Sequence, residues 1–280
     1  MNSFPENPAA DPQSSPQSSS AAYTGPLEPA IQAAPADPVW SGWDVLRIFI
    51  IGIVCLFSSV LGLFLVVSGS SLKARTARLS SAPELIVLAQ MVAYVLLLGY
   101  MYVVVTRERR SPRFWKAIHW NWPANISWYL VTGIVLQIVL LLLGFVIGRF
   151  VPFPRDTPFD ALLQRPYSIL LIAVFAVTLG PLMEELFFRG FLYPVLARRF
   201  GMSAAIATTA LGFGLLHAAQ YGYSFASVAL IFCVGLVLGT VRAKKDSVAA
   251  GFLVHTAYNG TIMMIMFIAT DGFRHLEKLQ

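Results

Sequence analysis

Charge is what this sequence has least of. Only 12% of its 280 residues are Asp, Glu, Lys or Arg, while 57% are hydrophobic. A soluble domain carries about 25% charged residues. With a mean hydropathy of +0.68, the chain lacks the polar side chains a water-facing surface needs, which excludes a soluble globular enzyme. The net charge is +6. Its basic residues sit mostly between apolar runs, where lipid headgroups and membrane orientation account for them better than nucleic acid does. Cysteine is nearly absent too. Cys55 and Cys233 both lie inside apolar runs, so a disulfide or cysteine–metal framework is excluded and both read as small buried hydrophobes. The first 38 residues contain no lysine or arginine and almost no large apolar side chains. Such a Pro/Ser/Ala-rich segment cannot offset its ordering entropy, so residues 1–40 are expected to be disordered. Without a basic start, they do not read as a signal peptide.

What the chain has in quantity is long apolar runs. Seven follow Trp43: Val45–Val67, Leu85–Thr106, Ile126–Phe150, Ser168–Phe188, Ala204–Ala219, Phe225–Val241 and Val248–Ala269. A helix crossing the hydrocarbon needs roughly 20 such residues. The expected fold is therefore all-α: a polytopic transmembrane helical bundle of about seven spans over residues 44–270, followed by a polar tail at 271–280. The run from Ala204 is short, Leu192–Phe200 could extend the fourth helix at the interface, and an added short helix would make eight segments. Between the second and third runs, Arg107, Arg109, Arg110, Arg113 and Lys116 alternate with Phe114, Trp115, Trp120 and Trp122, a pattern suited to the headgroup level. With Arg198, Arg199, Arg242, Lys244 and Lys245, that face holds about ten cations against about seven on the other, which favours a cytoplasmic N-terminus in a cell membrane.

Against this apolar background a few polar residues stand out. Gly180-Pro-Leu-Met-Glu-Glu-Leu-Phe-Phe-Arg-Gly190 ends the fourth run with two adjacent carboxylates. An ionised side chain at the bilayer centre costs roughly 2.5 kcal/mol or more. Glu185 and Arg189, four residues apart, share a helix face in the better order for an ion pair. Glu184 points about 100° away from Glu185, free for general acid–base work. Two of the four histidines also lie inside apolar runs: His217, with Phe213 four residues before it, and His255, with Asn259 four residues after it. Imidazole can hold a water, move a proton or bind a metal, and an amide beside it can donate to an oxyanion. Either histidine alone reads as a core side chain. With Glu184 on a third helix, the set reads as a water-activating site. His119 belongs to the basic interfacial segment and His275 to the tail. Gly212, Gly214, Gly235 and Gly239 read as close helix-packing positions.

At these residues the sequence resembles the CAAX prenyl protease type 2 family, also called the CPBP family of intramembrane proteases. Its Glu-Glu-x-x-x-Arg, Phe-x-x-x-His and His-x-x-x-Asn motifs correspond in order to Glu184, Glu185 and Arg189, to Phe213 and His217, and to His255 and Asn259, with no departure at those positions. The resemblance covers about 168–269, and the N-terminal third is similar only in being membranous. It implies an all-helical intramembrane endopeptidase that cuts a membrane-embedded or lipidated protein. Glu184 would activate the attacking water with help from His217, His255 and Asn259 would form the oxyanion hole, and Glu185 and Arg189 would support them. Glu184, His217 and His255 could supply ligands for zinc. No HExxH helix is present, and both the zinc and the metal-independent versions stay open. Two rivals come from other classes: a non-proteolytic membrane scaffold or immunity factor, and a proton-coupled carrier using the same Glu and His residues as a relay. The repeated topology common in carriers is not found.

Overall fold

The computed structural model describes Met1 and residues 37–67, 71–80, 82–154, 157–158, 160–163 and 166–275. The segment expected to be disordered lies outside these residues except at its two ends, as does the second half of the polar tail, 276–280. Residues Ala36–Gln280 form one compact unit. Its described residues form α-helices joined by short turns: α1 (Gly42–Val66), α2 (Leu72–Ser80), α3 (Pro83–Val103), α4 (Phe114–Ala117), α5 (Ile126–Ile147), α6 (Pro166–Val177), α7 (Leu179–Glu185), α8 (Tyr193–Phe200), α9 (Met202–Leu216), α10 (Phe225–Lys245) and α11 (Val248–Ala269). No strand occurs among them. Hydrocarbon offers a backbone no hydrogen-bond partner, so apolar runs of this length must satisfy their own N–H and C=O groups as helices.

Six helical stretches are long and apolar enough to cross a membrane: Gly42–Val66, Glu84–Glu108, Ile126–Ile147, Ser168–Phe200, Phe225–Lys245 and Val248–Ala269. The remaining run of the expected seven forms α9, 15 residues long. Leu192–Phe200 does extend the fourth helix, through α8. The outward faces of the long helices are apolar: Phe57, Leu61, Leu142 and Phe145 are all more than half exposed. In water such faces would aggregate; in lipid they are the expected surface. The protein is thus an integral, multi-pass helical bundle.

The fourth span is interrupted twice. After α6 the chain breaks at Thr178, and Pro181, which lacks an N–H, cannot bond to the carbonyl of Val177. Side chains of α11 take over. Thr256 Oγ1 donates to Val177 O (3.0 Å) and Asn259 Nδ2 to Ala176 O (2.7 Å). Beyond α7 the residues Leu186–Leu192 wind as a π-helix, a form that often marks functional sites. Its carbonyls also find side-chain donors. Trp40 Nε1 bonds to Phe191 O (3.0 Å) and Arg242 Nε to Arg189 O (3.1 Å). Trp40 is only 2% exposed, so residues ahead of position 41 already pack onto the bundle, held by an indole that needs a buried partner.

On the side where α1 begins, polar contacts join elements distant in sequence. Asp44 at the start of α1 accepts from Ser41 N (2.7 Å) and pairs with Arg109 just beyond α3 (2.5 Å). His119, in the loop before α5, reaches Asp246 in the α10–α11 turn (2.8 Å) and Asp37 (2.9 Å). Burial tends to raise the pKa of Asp246, but hydrogen bonds from Arg242 and His119 outweigh it and hold the carboxyl below its ordinary value. Asn121 Nδ2 donates to Asp246 O (3.0 Å), and Ser247 Oγ donates to Asn121 O. Helices α5 and α11 therefore start from one loop cluster and run parallel. They touch closely at Gly133: a Cβ there would lie 2.7 Å from Ala257 Cβ and 2.9 Å from Tyr258 N.

That contact makes a prediction. Gly133→Val forces the two helices apart and is expected to destabilise the protein by about 1–3 kcal/mol, seen as a lower Tm in detergent micelles. Gly62→Ala on α1, with nothing nearby to clash, is expected to leave Tm unchanged or raise it. Equal melting of Gly133→Val and the unsubstituted protein would refute the close α5–α11 packing.

Candidate active site

The broken fourth span carries Glu184 and Glu185 at the end of α7, where helical rotation separates them. Glu185 is fully buried, and so is Arg189 inside the π-helical stretch; Arg189 Nη1 donates to Glu185 Oε1 at 2.9 Å. Arg189 Nη2 donates to Gly235 O of α10 (3.2 Å), and its guanidinium lies over the Phe213 ring at 4.8 Å. A buried charge is tolerated only when it is paired and hydrogen-bonded, and here cation–π contact adds to the pairing. The pair also has a steric condition. A Cβ at Gly251 on α11 would stand 2.5 Å from Glu185 Oε2, so only glycine there lets α11 approach the carboxylate.

From α11, His255 Nδ1 lies 3.1 Å from Glu185 Oε1. An ionised Glu185 can only accept, so Nδ1 carries the hydrogen and Nε2 faces the other way. That second nitrogen is 3.6 Å from Glu184 Oε2. From the C-terminal end of α9, His217 repeats the arrangement. Its Nδ1 bonds to Phe213 O (2.8 Å), a carbonyl that can only accept, and its Nε2 lies 4.0 Å from Glu184 Oε1. Each imidazole is thus fixed through Nδ1 by its own support, and the two Nε2 atoms approach opposite oxygens of one carboxylate. Phe213 packs against both rings, with centroids 4.7 Å from His217 and 5.7 Å from His255.

Glu184, His217 and His255 open onto a mostly apolar cavity of about 690 Å³. Glu185 and Arg189 sit behind it, sealed from it by His255 and Phe213. Asn259 lines the same cavity, one turn beyond His255, while its amide nitrogen holds the Ala176 carbonyl. That nitrogen has two hydrogens, so one remains for a second acceptor. Among the described residues, no three His, Cys, Asp or Glu side chains are grouped so as to hold a metal ion. What the arrangement can do by itself is take a proton from a water lying between Glu184 and the imidazoles, then return it to a nearby leaving group.

Sequence spacing did not point to several supporting residues. Gly251 and Thr256 act through a close approach and a freed carbonyl, which only the meeting of α7 with α11 reveals. Arg242, counted above among interfacial cations, is instead 3% exposed and binds the backbone of the π stretch. The proline at 181 was the one available signal that carbonyls upstream would need donors.

The buried pair yields a prediction about stability. Arg189→Met strands the charge of Glu185 and is expected to cost about 3–5 kcal/mol. Adding Glu185→Leu should recover much of that loss, because no charge is then left unpaired. Thermal unfolding in detergent compares the two; a double variant melting below the single one would contradict a buried, mutually dependent pair.

Comparison with known families agrees with this geometry. A family model described as type II CAAX prenyl endopeptidase Rce1-like matches residues 166–261. Comparison with curated proteins and with solved structures finds no match. Every member of the cluster, from Glu184 to Asn259, falls inside the matched stretch, and over residues 166–261 the chain is similar to the Rce1-like, type II CAAX prenyl endopeptidase family.

Proposed function

We propose that the protein is an intramembrane endopeptidase that hydrolyses a peptide bond of a membrane-embedded or lipidated protein, with a water activated by Glu184 and His217. The observation that carries this reading is the aim of two fixed imidazoles at the one carboxylate that opens onto a buried cavity. The gaps of 4.0 and 3.6 Å are too long for direct hydrogen bonds but suit a bridging water. Glu184 takes a proton from that water as its oxygen bonds to the scissile carbonyl carbon, and His217 Nε2 orients it. The carbonyl oxygen becomes an oxyanion. His255, when protonated on both nitrogens, donates to it from Nε2, and the second amide hydrogen of Asn259 adds another donor. Glu185 steadies the positive imidazolium through Nδ1–H. Collapse of the tetrahedral intermediate breaks the C–N bond, and the proton on Glu184 passes to the leaving nitrogen, giving an amine and a carboxylate. The water-poor apolar wall strengthens each of these electrostatic contacts.

No step in this scheme passes through a metal, and Glu184, His217 and His255 act as base, orienting group and oxyanion donor. The surplus of cations on the face where α4 and the α10–α11 turn lie supports a cytoplasmic N-terminus in the cell membrane.

The purified protein in detergent or nanodiscs, given a farnesylated peptide with a CAAX ending and a panel of membrane proteins, tests the reading. Glu184→Gln is expected to lower cleavage by at least about 10²-fold while leaving Tm near that of the unsubstituted protein. Equal cleavage by the two proteins of every substrate that is cut would sink the assignment. Thorough chelation is expected to leave the rate unchanged. Loss on chelation, reversed by added zinc, would turn Glu184, His217 and His255 into ligands and overturn the metal-free scheme.

A further inference from the structure

One polar side chain at the cavity belongs to none of the motifs. Gln137 lies near the middle of α5, flanked by Ile134, Val135, Leu136, Ile138, Val139 and Leu140, and outside the stretch the family model matches. It lines the cavity that holds Glu184. It is 5% exposed, and among the described residues its carbonyl Oε1 has no hydrogen-bond partner. A buried acceptor left unmade is costly, and a leucine or methionine would fit an apolar span without that cost. The hydroxyls on the same helix avoid it: Thr132 bonds back to Trp128 O. Gln137 has no such outlet, so its amide is a polar group kept for something that enters the cavity.

The level is informative. Gln137 is one turn beyond Gly133, which touches α11 between Val254 and Tyr258. Because the two helices run parallel, Gln137 comes to the level of Asn259 and Ile262, both in the cavity wall. It therefore faces the cavity from α5, the close neighbour of α11, about one turn beyond His255.

We infer that Gln137 is a substrate-positioning residue whose side-chain amide hydrogen-bonds the main chain of an extended peptide in the cavity that also holds Glu184. A primary amide presents one acceptor and a donor side by side, the complement of a peptide group's N–H and C=O. An isoprenoid or acyl tail offers neither, so a lipid chain at this place would leave the carbonyl unpaired. The occupant at this level is polypeptide rather than lipid, and it is read through its backbone, indifferent to side-chain identity. Fixing the strand at a second point in the cavity restricts how the scissile carbonyl can turn, which is how positioning groups lower a barrier. The inference rests on the endopeptidase reading for its consequence in catalysis, while peptide binding can be measured without cleavage.

The test uses full-length protein carrying Glu184→Gln, so that substrate binds uncut, with a fluorescent farnesylated CAAX peptide and its unlipidated counterpart as probes. Adding Gln137→Met is expected to weaken binding of both peptides about tenfold. In the Gln137 protein, peptides N-methylated at successive amides should show one position where methylation costs a similar factor. In Gln137→Met that same position should cost nothing further. Tm should stay level or rise in Gln137→Met, since a buried unpaired group has been removed; an amide needed only for folding would lower it. Unchanged affinity in Gln137→Met, additive losses at every N-methylated position, or no saturable binding of either peptide would each overturn the inference. Failure of the endopeptidase reading shows separately, as equal cleavage with and without Glu184→Gln, and leaves the binding comparison intact.

Discussion

An ionised carboxylate and a guanidinium enclosed among apolar helices set the terms for the rest of this molecule. Neither Glu185 nor Arg189 touches solvent, and each would be prohibitive alone. Together they need each other, the Gly235 carbonyl, the face of Phe213 and the imidazole of His255. Those partners come from α9, α10 and α11, so the pair ties the second half of the bundle to the end of α7. It also fixes His255. The carboxylate sets which nitrogen carries the hydrogen, and thereby which nitrogen faces Glu184. A contact that is required for folding thus also orients a group at the cavity.

Helix irregularity follows from the same demand. A regular fourth span would keep its carbonyls to itself and offer α11 and α10 nothing to bond. The proline-marked break frees Ala176 and Val177 for Asn259 and Thr256, and the π-helical stretch frees Arg189 and Phe191 for Arg242 and Trp40. These four side-chain-to-backbone bonds lock the interrupted segment in place from several sides. Asn259 consequently serves two purposes: one amide hydrogen maintains the break that positions α7, and the other remains at the cavity.

Much of this was legible in the sequence because two of its constraints are local. Composition alone requires a membrane protein, and apolar runs of suitable length locate the six long helical stretches. The 3.6-residue period separates Glu184 from Glu185 and places Arg189 on the latter's face, and that pairing survives although the π-helical stretch begins at Leu186. What escaped depends on which helices meet. Nothing in the order of residues says that Gly251 must be small for Glu185, or that Arg242 turns inward to a backbone carbonyl instead of outward to headgroups. The run from Ala204 illustrates a different limit. Its apolar character was plain, but α9 ends at His217 after only 15 residues, because the chain there turns to present an imidazole rather than to finish a crossing.

The polar groups around the cavity also differ in how they are supported, and the difference separates structure from chemistry. Glu185 and Arg189 are paired through Oε1 and Nη1 and lie behind the wall, with Glu185 Oε2 and Arg189 Nε left without a hydrogen bond among the described residues. His217 and His255 each spend Nδ1 on a support and keep Nε2 for the cavity. Among the described residues, Glu184 is approached by those two imidazole nitrogens at distances beyond a direct bond, and Gln137 has an acceptor with no partner. At the cavity this leaves hydrogen-bonding capacity unmet at Glu184 and at Gln137. In hydrocarbon such capacity is costly. Its presence at two points of one cavity follows if the missing partners arrive together, as a water at Glu184 and a peptide backbone at Gln137.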